Sequence, residues 1–271
     1  MIKYNKKVLF FLLILIFLTF LKIDFRFVNG IFCCSDDFDY FIHAETIAED
    51  FDLNYSNQLK NNEDKRFFKN NISAPIGFFG TGLLSSPFLL LGNLVDQYLF
   101  TSSENFMNYK ILIYSFSSIF YCLLTINLLA RSLKILNINF KYGHLLLFYS
   151  GSGIIYYAFE RFSMTHVYES FASALIIFFS SKFYKESNNQ NFFAFILPLS
   201  IMLGLMIRWV NLYLILTPLI IKLISKSKKI LISNPYFYLS TTLAVVLFLL
   251  HTKEIYGKYT STQCKCIVIS P

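Results

Sequence analysis

Three carboxylates stand within four residues at Asp36, Asp37 and Asp39, inside the run Ser35-Asp36-Asp37-Phe38-Asp39-Tyr40. Like charges this close repel one another, so the group is expected to take up a cation or to hold its protons more tightly than isolated carboxylates do. At a water–lipid boundary either property is useful. A carboxylate there accepts the proton of an acceptor hydroxyl, or holds a divalent metal against a phosphate. An acidic, solvated segment that keeps this part of the chain outside the bilayer accounts for the same residues without chemistry. Farther along, His166 and Glu169 lie one helical turn apart, and Arg208 sits between two apolar segments in LGLMIRWVN (203–211), beside the single tryptophan Trp209. A histidine contacts a phosphate when protonated and a hydroxyl when neutral; a helix cap is its plainer role. A guanidinium near a bilayer faces a partner, water or lipid phosphate, and snorkelling to headgroups explains it equally well.

The elements that position these residues are read from composition. Of 271 residues 55% are hydrophobic and 15% charged, with 32 Phe and 18 Tyr, where a soluble domain carries about 25% charge. That excludes a disordered chain, a secreted disulfide scaffold and an ordinary soluble enzyme, and points to a polytopic membrane protein. The net charge of +8 is unevenly laid out: residues 23–106 hold twelve of the 16 acids and five of the 24 bases. Short basic clusters between apolar runs are the signature of cytoplasmic connections rather than of nucleic-acid binding.

The apolar runs are 8–21, 111–130, 144–159, 167–183, 192–207, 212–224 and 236–250, seven candidate spans. The first follows the basic flank MIKYNKK and is followed at once by Lys22 with no small-x-small cleavage site, so it reads as an uncleaved, short transmembrane helix whose lysines snorkel. If 23–106 lies outside, the connections bearing Arg131, Lys134 and Lys141, then Lys182 and Lys185, then Lys222, Lys226, Lys228 and Lys229 all fall on the cytoplasmic side. The stretch 74–100 breaks this alternation if it crosses. With Pro75, Gly77, Gly80, Gly82 and Pro87 its first half is expected to make a poor continuous helix, so it is placed at the outer interface, amphipathic or partly re-entrant. The expected architecture is one all-α membrane domain over 1–271: a first helix at 1–22, a large outer loop at 23–106 containing juxtamembrane helices, six further helices over 107–250, and the start of a second outer loop at 251–271.

The five cysteines include the adjacent Cys33 and Cys34, and Cys264 and Cys266 one residue apart, spacings that suit no zinc site. Asn54-Tyr55-Ser56 and Asn71-Ile72-Ser73 fit the glycosylation sequon, a short pattern of low specificity. Gly77, Gly80 and Gly82, spaced G-x-x-G-x-G with no strand expected before them, form no phosphate-cradling motif. There is no P-loop, nucleophile elbow or HExxH motif.

The order of features, a first helix, the juxtamembrane DDFDY, an acidic stretch and then PIGFFGTGLLSSPFLLLG, resembles the integral-membrane glycosyltransferases of the GT-C fold. The likeness is to the bacterial branch related to protein O-mannosyltransferases and aminoarabinose transferases. That family carries a D-[DE]-x-x-Y-like motif in its first outer loop, and Asp36, Asp37 and Tyr40 match it position for position. The resemblance implies Asp36 as the catalytic acid, Asp37 as its catalytic neighbour, and Tyr40, His166, Glu169 and Arg208 as substrate-binding residues. The segment GSGIIYYAFERFSMTHVYESF (151–171) resembles the family's second outer loop, with His166 where many members have an acid; Arg208 would meet the phosphate of a lipid-linked sugar. The implied reaction moves a sugar from a polyprenyl-phosphate carrier to a glycan, lipid or protein acceptor at the outer face of a bacterial inner membrane. Membrane lipid is a partner, nucleic acid is not, and no cofactor is implied beyond an optional divalent metal. Family members continue for further spans, whereas this sequence stops at Pro271 inside the start of the later outer loop. A truncated, inactive relative and a transporter are the alternatives; a transporter would carry ionisable groups near the midplane of its spans.

Overall fold

The acid run does not form a loop. In the computed structural model, which describes residues 17, 35–60, 68–69, 72–99, 109–257 and 259, it opens helix α1 (Ser35–Glu49), with Asp36 and Asp37 in the first turn. Carboxylates suit that position because the unpaired N–H groups of a helix start carry partial positive charge. The expected first span, apart from Phe17, and the cysteines at 33, 34, 264 and 266 lie outside the described residues. A two-residue antiparallel ladder, β1 (Phe68–Lys69) with β2 (Ile72–Ser73), follows.

Residues 74–100 depart from expectation. Phe79–Leu99 is one continuous helix, α2, with Pro87 inside it. Proline removes the N–H that would bond the carbonyl four residues back. That carbonyl, of Leu83, accepts instead from Ser86 Oγ at 3.0 Å. The glycines serve close approach. A Cβ on Gly82 would stand 2.3 Å from the His43 Cβ, and one on Gly80 2.6 Å from the Ile207 backbone nitrogen. Small residues thus let α2 pack directly on α1 and on the end of a later helix.

The remaining helices are α3 (Tyr109–Ile135), α4 (Tyr142–Ser150), α5 (Gly153–Phe159), α6 (His166–Lys185), α7 (Gln190–Ile207), α8 (Thr217–Ser225) and α9 (Pro235–Tyr256), with 3-10 helices at Trp209–Leu216 and Leu231–Ser233. Two expected spans are therefore broken. The run 144–159 divides at Gly151-Ser152, where Ser152 is extended, and 212–224 is half 3-10 and half α. Pro218 explains the second break, since it lacks the N–H that would carry α geometry back through Leu214. A 3-10 helix rises farther per residue than an α-helix, so Trp209–Ser225 still reaches about 30 Å. Of the seven spans expected, three described helices, α3, α7 and α9, are long and apolar enough to cross a membrane, and Trp209–Ser225 is a shorter apolar one.

Contacts fix the directions. Tyr121 on α3 bonds the Leu84 carbonyl on α2, and a Cβ on Gly92 would meet Lys110, so α2 and α3 are antiparallel. Ser117 on α3 meets Tyr168 on α6 at 2.7 Å, and Tyr121 stacks near Phe171, so α3 and α6 run the same way, with α4 and α5 returning between them. The order of packing is α1 on α2, α2 on α3, α3 on α6, α6 on α7 and α7 on α9. Lys182, Lys185, Lys222, Lys226, Lys228 and Lys229 consequently gather at one end, and Asp36, Arg161, His166 and Arg208 at the other.

Candidate functional site

The start of α1 sends its three carboxylates into different surroundings, because successive residues rotate about 100° around a helix. Asp37 is fully buried and meets Arg161, whose Nη2 lies 3.1 Å and Nε 3.2 Å from Oδ2. Asp39, also buried, accepts from the Gly77 N–H at 3.0 Å. Asp36 is exposed. The expected cluster of mutually repelling carboxylates is thus corrected to one solvent-exposed acid and two buried ones. Among the described residues no three His, Cys, Asp or Glu side chains converge as a metal-binding group.

Arg161 reaches Asp37 from the turn between α5 and α6, and that turn is fastened by hydroxyls. Ser163 Oγ donates to the Asp37 carbonyl at 2.8 Å and shares a 3.1 Å bond with Tyr114. Ser118 Oγ donates to the Ala158 carbonyl at 2.6 Å, and Tyr168 donates to that of Phe162 at 3.3 Å. The turn that carries this guanidinium, 124 positions away from its carboxylate, is thus held by Tyr114 and Ser118 of α3, Tyr168 of α6 and its own Ser163.

The residues singled out from the second and third regions meet here. Glu169 in the first turn of α6 lies 3.5 Å from His166 Nδ1 and 3.6 Å from Arg208 Nη1. Arg208 stands where α7 ends and the chain becomes extended before the 3-10 helix; 44% of its side chain is exposed, so the guanidinium faces both Glu169 and solvent. Of the surroundings expected for this arginine, a partner, water or lipid phosphate, it thus meets a partner and solvent. His166 also lies against the Tyr157 ring, 4.0 Å between centroids. Tyr40 connects the groups: its phenol is pushed well above the usual tyrosine range by burial, then by the Asp36 carboxylate, with Arg208 opposing and Asp39 and Glu169 adding to the rise. It is a neutral hydrogen-bonding group within electrostatic reach of all four.

A second layer stands behind the first. His43 Nε2 donates to the Gly77 carbonyl at 3.0 Å, which fixes the tautomer, and Nδ1 accepts from Tyr55 at 2.7 Å. Tyr256, at the end of α9, donates to the same carbonyl at 3.1 Å. Burial, opposed by the bond to Gly77, pulls His43 down to about 4. The Gly77 peptide therefore ties α1, α2 and α9 together directly below Asp39. A cavity of about 510 Å³ opens beside it, lined by Asp52, Asn54, Tyr55, Ser56, Ser73 and Glu254 among others.

The six residues predicted from sequence, Asp36, Asp37, Tyr40, His166, Glu169 and Arg208, lie at one end of the bundle. Asp36 and Asp37 part company there, one open and one buried. Sequence reasoning placed Asp39 in the acid cluster without giving it a separate role, and missed Arg161, His43, Gly77 and Tyr256 as members of this region. Arg161 carried one usable signal, a lone base at the acidic end of an apolar run. The others carried none. No protein family, characterised protein or solved structure matches the chain.

Proposed function

We propose that this chain is a multi-pass membrane glycosyltransferase that moves a sugar from a polyprenyl-phosphate carrier to an acceptor hydroxyl at the outer membrane face. One observation carries the reading: a solvent-facing carboxylate, Asp36, shares the neighbourhood of Tyr40 with a half-exposed guanidinium, Arg208, at the end of an apolar bundle. The three long apolar helices and the lysines gathered at the far end favour insertion with that end in the cytoplasm and the carboxylates outside. The ionisable groups sit at the end of the bundle rather than at its middle, which favours surface chemistry over passage.

In the proposed reaction the acceptor oxygen attacks the anomeric carbon and its proton passes to the Asp36 carboxylate. The bond between that carbon and the carrier's phosphate oxygen breaks, and the phosphate leaves with the electron pair, its charge met by Arg208. Arg161 holds Asp37 as a buried support, so that Asp36 alone acts as base. His166 and Glu169 set the position of Arg208.

The test is Asp36→Asn in proteoliposomes supplied with a polyprenyl-phosphate sugar. A positioned base is worth roughly 100-fold or more, so transfer falls by at least that factor while helix content is retained. Unchanged transfer overturns the assignment.

A further inference from the structure

The loop joining α8 to α9, Lys226-Ser227-Lys228-Lys229-Ile230-Leu231-Ile232, alternates its side chains. Lys226, Lys228, Ile230 and Ile232 face solvent, whereas Lys229 is half-buried and Leu231 buried. The inward set is fastened. Lys229 Nζ donates to the Phe183 carbonyl at 3.2 Å and to that of Glu186, which caps the last turn of α6. Ser227 Oγ donates to the Tyr184 carbonyl at 3.1 Å. Leu231 packs with Phe183, Tyr184 and Phe193, and Asn234 Nδ2 donates to Asn191 at 3.0 Å. One lysine is consumed by helix carbonyls, and the other two are projected by a loop that is fixed on both sides of them.

Two outward lysines followed by two outward isoleucines put positive charge and apolar surface side by side on one edge. Lys185 is exposed nearby, at the end of the helix that Lys229 caps. Cations at headgroup level beside apolar side chains form an interfacial anchor for negatively charged lipid. We propose that the 226–232 loop is a docking surface for anionic phospholipid, at the end of the bundle opposite the carboxylate site. The inference needs the chain to lie in a membrane and is independent of sugar transfer.

The experiment uses the full chain in detergent, titrated with phosphatidylglycerol or phosphatidylcholine, with lipid retention read by native mass spectrometry. The wild type retains phosphatidylglycerol preferentially, and the preference declines as salt rises. A lysine beside an anionic surface contributes about 1 kcal/mol, a factor of about five, so K226Q/K228Q weakens phosphatidylglycerol retention roughly 30-fold and leaves phosphatidylcholine unchanged. I230N/I232N lowers retention of both lipids. Equal retention of the two lipids by the wild type overturns the proposal, as does an undiminished preference in K226Q/K228Q. Competition by inorganic phosphate as effective as that by phosphatidylglycerol would assign the lysines to a free anion and overturn it equally.

Discussion

The two ends of this bundle handle charge in opposite ways. At the carboxylate end the partners come from distant parts of the chain: Asp37 with Arg161, Asp39 with the Gly77 peptide, Glu169 with Arg208. At the lysine end the ion pair is local, Lys182 with Glu186 on one helix, and Lys226 and Lys228 stand in solvent. Buried charge is stable only when geometry and extra hydrogen bonds offset its desolvation. Long-range burial at one end therefore means that several elements must be in register before the site exists, whereas the ion pair at the other end forms within one helix.

The strongest way to break that contrast is Arg161→Met. Removing the guanidinium from beside the fully buried Asp37 is expected to cost about 3–5 kcal/mol, read as thermal unfolding in detergent. Adding Asp37→Asn to that variant recovers a large part of the loss by removing the buried charge. A loss below about 1 kcal/mol would place this pair in the class of exposed ones and erase the distinction between the ends.

Acid titration sharpens it next. His43 is pulled from 6.5 to about 4 by burial; its ring faces the Gly77 carbonyl, Tyr55 and, more remotely, His251. The unfolded chain takes up the proton first, so the stability from this group is complete above about pH 6.5 and is lost as pH falls toward 4. The full effect is on the order of 3 kcal/mol. Unfolding free energy followed across that window is expected to slope in the wild type and to flatten in His43→Gln. An equal slope in both would separate His43 from the acid sensitivity of this end.

These contrasts mark what a sequence displays. The all-α architecture and the grouping of the lysines at one end follow from local composition and apolar run length, which also put the six candidate residues from Asp36 to Arg208 together at the opposite end. Arg161 did not, because its partner lies 124 residues away and burial leaves no periodic trace. Pro87 misled for a related reason: the helix continues because Ser86 supplies the bond that proline cannot, a repair visible only in three dimensions. The break at Gly151-Ser152 and the 3-10 stretch before Pro218 were hidden because an apolar run reports burial in lipid or protein, not the winding of its backbone.

The smallest expected effect is at the lysine end. Lys182 and Glu186 are 2.5 Å apart, closer than Glu169 and Arg208 at 3.6 Å, but the Glu169 carboxylate is 17% exposed against 38% for Glu186 and meets His166 as well as the 44% exposed Arg208. Screening by water, not separation, decides the worth of such a pair, and a local pair of this kind contributes about 0.3–0.5 kcal/mol. Glu186→Gln is therefore expected to leave the unfolding temperature almost unchanged, while Glu169→Gln lowers it measurably and also lowers transfer by freeing Arg208. The Glu186 backbone carbonyl, which Lys229 caps, survives the substitution, so the loop at 226–232 keeps its place. If Glu186→Gln proved the more damaging of the two, contact distance would outrank burial in this bundle, and the division between its ends would rest on the wrong quantity.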